Sequence, residues 1–361
     1  KRQDKGVFAR VHRMPATSAD VEDTPTAGLV VFGPDRPFRK AGSGKPLSPA
    51  EATIHDFLQR RGTAARIHKN ALVFAAPDAD RCDTLLRAVR SWKAWKSVVD
   101  GADDLNLAPN AVANARSRED QARQTMRGAI KEAYRWVLNP AQDAGAPEMV
   151  VDAIFMNGDG TIAERVTRKA NDSELIYSTY PVSFLRRWID QLNLWTEDTP
   201  HVELGKVTGY FADYVYMPRL VGPEVLVETV RQRPDSTLAV TEGGLAYADY
   251  VDEAGKYQGL SFDRTHHVQP SGLLVDPVTA RRQVERDQTP DPGPSRDEDE
   301  PTTTDDPVVL VDPDQPGPPS RTGYDEDDPG TRPSRMYAAK AVDPVRFIRD
   351  SRAISEEIVS H

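Results

Sequence analysis

The chain has 361 residues, 38% of them hydrophobic and 28% charged, and a formal net charge of -10. That length holds roughly two or three compact units, and no apolar run reaches the about 18 residues of a membrane span. The single cysteine, Cys82, excludes an internal disulfide and any zinc site with two thiolates, and fits a reducing cytoplasm. "GVFARVH" (6–12) and "GLVVFG" (28–33) are predicted strands, short and apolar between turn residues. "SPAEATIHDFLQRRG" (48–62) is a predicted helix. Ser48 and Glu51 form a capping box, Pro49 suits the first turn, and Gly62 ends it. Ala50, Ile54, Phe57 and Leu58 make its apolar stripe. "NALVFAAP" (70–77) is nearly all apolar, the pattern of a strand buried on both faces of a parallel sheet. Strand, helix, strand in this order implies an α/β unit with a right-handed crossover.

Asp78 or Asp80 can cap the next helix, which carries Leu85, Leu86, Val89, Trp92 and Val99, with Trp92 and Trp95 as its anchors. A polar stretch follows, then a long helix through "QTMRGAIKEAYRWVL", closed by Pro140. "EMVVDAIF" is strand-like and "NGDG" a turn. "TIAERVTRKAND", "PVSFLRRWIDQLNLW", "ELGKVTGYFADYVY" and "GPEVLVETVRQR" are predicted helices. A hairpin turning at Glu242–Gly244 and the short strand "GLLVDP" complete the order of a winged-helix module. Residues 284–335 contain 11 of the 29 prolines and 15 acidic against 5 basic side chains. They are expected to be a disordered linker, because little in them could be buried to offset ordering. The remaining chain has 41 charges of each sign, so its folded part is close to neutral. After the linker, "RMYAAKAV" and "RFIRDSRAISEEIVSH" are expected to start a small C-terminal β-α piece.

"RKAGSGKPLS" (39–48) has the ingredients of a phosphate loop. A Walker-type loop needs G-x-x-x-x-G-K-[ST]. Arg39 stands where the first glycine must be, and Pro46 where the hydroxyl must be, so the stretch is read as a loop leading into a capped helix. "NGDGTIAERVTR" would need glutamate where Arg168 stands to hold calcium. His266 and His267 are adjacent, which points them to opposite faces of a strand. No H-E-x-x-H or G-x-S-x-G occurs. The would-be reading helix, 222–233, sets Glu224 and Glu228 against Arg231 and Arg233, a balance that favours packing or partner binding over phosphate contact.

Several stretches carry a resemblance. They are "ADVEDTPTAGLVVFGP", "RIHKNALVFAAPDADRCDTLLRAVRSWKAWKSVVD", "DYVYMPRLVGPEVLVETV", "LAYADYVDEAGKYQGL", "PSGLLVDP" and "DPVRFIRDSRAISEEIVSH". In this order the chain resembles the C-terminal half of the domain-of-unknown-function-499 family, large bacterial AAA-type ATPases associated with phage defence and bacteriophage exclusion. The resemblance implies a nucleotide-binding loop and an acidic magnesium-binding strand upstream of Lys1. ATP and magnesium would then belong to a full-length protein, and this chain itself would hold no cofactor.

The fold expected is α/β and α+β, in several domains. Residues 1–100 would be the last strands and helices of an ATPase-type parallel sheet, 101–200 a helical region with a short strand, and 201–283 a winged-helix-like module. Residues 284–335 would be the linker and 336–361 the start of the C-terminal piece. Arg66 and Asn70, flanking the buried strand, are the sensor-type candidates; the plainer expectation is a surface ion pair for Arg66 and a turn bond for Asn70. The partners implied are other defence-system proteins, with weak DNA contact and no membrane. The rival reading is a non-enzymatic scaffold or winged-helix DNA-binding adaptor.

Overall fold

The first apolar segments build a mixed sheet. β1 (Arg10–Arg13) and β2 (Gly28–Val31) run parallel. α1 (Pro49–Gln59) and a small ribbon of β3 (Arg60–Arg61) and β4 (Ala64–Ala65) lead to β5 (Leu72–Ala76), which is parallel to β2. Every residue of β2 and β5 is buried, as unbroken apolar runs require of strands covered on both faces. The computed structural model describes residues 5–40, 46–143, 145–232, 244–264 and 267–288.

α1 starts as its sequence dictates. Ser48 Oγ accepts from the Glu51 amide at 3.3 Å, and the Glu51 carboxylate accepts from the Ser48 amide at 2.7 Å. Ala50, Ile54, Phe57 and Leu58 are all buried. Gly62 does not end the helix, which stops at Gln59. With φ +60° it makes the turn between β3 and β4, a backbone conformation that suits glycine.

α2 (Cys82–Asp100) and α3 (Pro109–Ala133) pack against each other. Asp78 caps the 3₁₀ turn Ala79–Arg81 that precedes α2, accepting from the Asp80 amide at 3.0 Å. The expected helix through Leu138 stops at Ala133. Trp136–Ala141 form β6, antiparallel to β5 and to β7 (Val150–Phe155). Tertiary pairing on both sides overrides the helical spacing there, and the aromatic and β-branched pair Trp136–Val137 suits a pleated surface. Tyr134 fixes the exit from α3 by donating to the Phe32 carbonyl at 2.8 Å. Pro140 lies inside β6 rather than closing a helix. The Met156 amide bonds the Arg135 carbonyl, so ladder alternation makes Pro140–Val151 a non-hydrogen-bonded pair, where the missing N–H costs nothing on the β7 side.

The five-stranded order is β1-β2-β5-β6-β7. The sheet is therefore mixed, parallel in its first three strands and antiparallel in its last two, and not the parallel sheet expected. One face packs Val30, Phe32 and Phe74 with Ile54 and Phe57 of α1. The other packs Leu29 and Val73 with Leu85, Ala133 and Val166; the last lies on α4 (Ile162–Asp172), capped by Thr161.

α5 (Val182–Gln191), β8 (His201–Glu203), α6 (Leu204–Asp213) and α7 (Glu224–Arg231) follow. Then come β9 (Ala246–Ala248), the ribbon of β10 (Tyr250–Val251) with β11 (Tyr257–Gln258), β12 (Leu273–Val275) and α8 (Pro277–Gln288). β8, β12 and β9 form an antiparallel sheet in that order. Leu185, Ile189, Phe211, Leu226, Tyr247 and Leu274 share one core beneath it.

The described residues up to Gln288 fall in one compact unit. β6 and β7 lie beyond residue 100 yet complete the sheet that β1 begins. Residues 284–288, expected in the linker, belong to α8. The rest of that linker, the C-terminal piece at 336–361 and most of the hairpin turn at 242–244 lie outside the described residues. No described helix is long and apolar enough to cross a membrane.

Ser48→Ala removes one half of the α1 capping box. It is expected to lower stability by about 1 kcal/mol, read as a shifted urea midpoint at unchanged slope.

Candidate functional site

The first sheet meets the helices of the second at one buried cation. Arg219, in the connection between α6 and α7, is 5% exposed. Its Nε donates to the Asn70 carbonyl at 2.6 Å. Nη2 donates to Asn70 Oδ1 and to the Pro140 carbonyl, each at 3.0 Å. Nη1 donates to Asn139 Oδ1 and, at 3.4 Å, to the Leu175 carbonyl. All N–H groups of the guanidinium fork are thereby used, and none of these partners is a carboxylate. Burial pulls the Arg219 pKa down to about 10, so the group stays charged at neutral pH.

Asn70 is the other half of the junction. Its amide donates to the carbonyls of Phe211 at 2.9 Å and Met217 at 2.8 Å. Its side chain is thus fully used inside the protein, across a much longer span than the turn bond expected. Arg66 is likewise no surface residue. It is 2% exposed and donates to the carbonyls of Phe57, Glu22 and Val21 at 2.6, 2.9 and 2.9 Å. Burial lowers its pKa, against the opposing pull of Asp23, 3.6 Å away. The Asp23 carboxylate also accepts from the amides of Ile67 and His68, and His68 Nδ1 lies 2.7 Å from Asp213 Oδ1 on α6. The turn 66–70 thus brings Arg66 to the first layer and Asn70 to the second. Arg219 itself carried no sequence signal, because a lone arginine after proline looks like a surface cation.

The outward side of the α6–α7 region is aromatic and acidic. Tyr214 stacks on Tyr216 at 5.4 Å between ring centroids, Tyr210 lies 5.8 Å from Tyr214, and Trp188 of α5 lies 6.5 Å from Tyr216. Tyr214 is 45% exposed. On α7, Val225, Leu226, Thr229 and Val230 are buried, and Glu224, Glu228, Arg231 and Gln232 face outward to differing degrees. Arg231 is bonded to Glu228, which also accepts from Gln232 at 2.6 Å. The described cation of α7 is therefore already paired. The spacing Tyr210-x-x-x-Tyr214 is the one sequence signal that could have marked this shelf.

A hollow of about 500 Å³ lies beside α1, with Thr17, Arg36, Thr53, Asp56 and Arg60 in its wall. Arg36 is held by the carbonyls of Pro15 and Ala16, each at 2.6 Å. Residues 41–45 of "RKAGSGKPLS", and His266, lie outside the described residues. Arg168 donates to the Asp159 carbonyl and closes the "NGDG" turn. Among the described residues no three His, Cys, Asp or Glu side chains come together as a metal cage. No family model, curated protein or solved structure matches the chain.

Arg219→Lys keeps the charge but not the planar fork. Several buried acceptors lose their donor, at about 1–3 kcal/mol each, so a total loss of at least about 3 kcal/mol is expected in chemical denaturation.

A second expectation concerns pH. Burial lowers the pKa of His12 and of His201 below 6.5. The unfolded chain then takes up protons near pH 6.5 that the folded chain still refuses, so stability falls as the pH drops through that value. Urea midpoints measured from pH 7.5 to 5.5 should decline, and His12→Gln with His201→Gln should flatten that decline.

Proposed function

We propose that the chain is a non-catalytic coupling region: a winged-helix-like module fixed to an α/β layer, which binds a partner protein through the α6–α7 face. The order α5, β8, α6, α7, β9, β12, with sheet order β8-β12-β9, supports the winged-helix reading. α7 takes the place of its second, outward helix. The observation that carries the function is the charge of that helix. Arg233 lies outside the described residues; among the described residues of the helix, the exposed side offers Glu224 and Glu228 and one cation, Arg231, already bonded to Glu228. Phosphate backbones need uncommitted cations. The adjoining shelf of Tyr210, Tyr214, Tyr216 and Trp188 supplies the residue types that dominate protein–protein hot spots.

Set beside the resemblance to phage-defence ATPases, the partner is another defence-system protein. The chain's task is to pass on the nucleotide state of an ATP- and magnesium-binding part supplied elsewhere in a full-length protein. The Arg219 junction supports that role, since a displacement of the sheet must carry α6 and α7 with it. The DNA-binding adaptor shares the same topology and differs in the chemistry of this face.

Two measurements separate the readings. Fluorescence anisotropy with duplex DNA at physiological salt should show only weak, salt-sensitive binding, and a sequence-specific nanomolar complex would favour the adaptor. Tyr214→Ala, at an exposed position, should change stability by no more than about 0.5 kcal/mol. It should nevertheless abolish protection in a plaque assay of cells carrying the intact system. Full protection by that variant would overturn the partner-binding reading.

A further inference from the structure

The two edges of the five-stranded sheet differ. β1 is four residues long and begins and ends in arginine, with Arg10 paired to Glu22. Charges of this kind guard an edge against another strand. β7 is six residues long, "VVDAIF", with one charge, Asp152, and neither proline nor glycine. Its Val150 is 55% and its Phe155 46% exposed. No other described strand pairs with its outer side.

The ladder fixes which groups face outward. The Met156 amide bonds the Arg135 carbonyl, and pairing continues without a bulge to Ala141–Val150. In an antiparallel ladder the bonded pairs alternate. Val150, Asp152 and Ile154 therefore turn their amides and carbonyls to β6, and Val151, Ala153 and Phe155 turn theirs away. No bond to another described residue is recorded for those outward groups.

We propose that β7 pairs antiparallel with β7 of a second copy of this chain, about a two-fold axis through Ala153. The strand pairs more completely in this register than in either neighbouring one. Centred on Ala153, Val151 meets the second copy's Phe155, and all outward groups pair, giving about six hydrogen bonds. Asp152 then stands opposite the second copy's Ile154. Centring on Asp152 would set two carboxylates directly opposite, which is destabilising, and would pair fewer outward groups. Centring on Ile154 also pairs fewer. The small Ala153 side chain at the axis puts no bulk between the copies. The result is one continuous sheet through two molecules, with Val151–Phe155 contacts on the face that carries the α1 core. A single strand pair buries less than the about 1,200–2,000 Å² of a standard stable interface, so the association is weak.

The test is sedimentation equilibrium of the full chain from about 1 to 100 μM, a range suited to a weak interface. The expected result is a mass rising from 40.0 kDa toward twice that value, with a midpoint in the micromolar range. Ala153→Pro deletes the outward amide at the axis and leaves the β6 ladder its bonds; it should yield a monomer with an unchanged circular dichroism spectrum. The paired change Val150→Lys and Asp152→Lys lies on exposed side chains and tests the same edge if the proline variant does not fold. It should weaken the dimer at least tenfold, because lysines on an edge strand oppose pairing with another strand. A monomer at every concentration would overturn the proposal and leave the edge to a strand of another protein. A dimer that survives the paired lysines would overturn it in favour of another surface.

Discussion

One buried cation organises this molecule. Arg219 gives its five-donor fork to backbone and amide oxygens from three parts of the chain, the turn before β5, β6 and the exit of α4, and Asn70 in turn bonds the end of α6. A lone buried charge is costly unless its hydrogen bonds are complete. Here completeness demands that all three parts occupy their places together. The penalty for a partial structure is high, so the first sheet and the helices of the second behave as one unit. Backbone bonds reinforce the same seam, since Tyr177 bonds to Arg219 and Val221, and Val221 accepts from Ala27 beside β2.

The sheet shows how local rules give way where partners compete. Its parallel half follows from apolar runs with a helix between them. Its antiparallel half is created by β6, whose sequence continues a helical spacing but whose backbone pairs with β5 on one side and β7 on the other. Pro140 can stay because it falls at a pair that needs no amide on the β7 side and lies past the last residue paired with β5. The asymmetry of the two edges follows too. β1 ends in arginines, and β7 is left as a regular apolar strand.

The outward chemistry of the second half is aromatic and acidic. α7 buries its aliphatic side in the core shared with Phe211 and Tyr247, and the acidic residues left outside consume the available cation. The tyrosines at the α6–α7 connection are held by neighbouring rings, which lowers the entropy lost on contact. These features support the proposed coupling role better than a role on DNA.

The sequence by itself determined the elements whose causes are local. β2 and β5 are unbroken apolar runs, α1 has its cap and stripe, and α4 to α7 have helical apolar spacing; all appear within a few residues of their expected bounds. Only the tertiary structure decided the rest. Trp136–Ala141 became a strand because two neighbours offered ladders. Gly62 became a ribbon turn, and α8 extended into residues that composition alone marks as linker. Arg66 and Asn70 stood out as flanking a buried strand, yet their partners are 9 to 149 residues away in sequence. Arg219, which joins Asn70 to β6 in one junction, was invisible for the same reason. A buried cation is recognised by the carbonyls that surround it, and those come together only when the chain has folded.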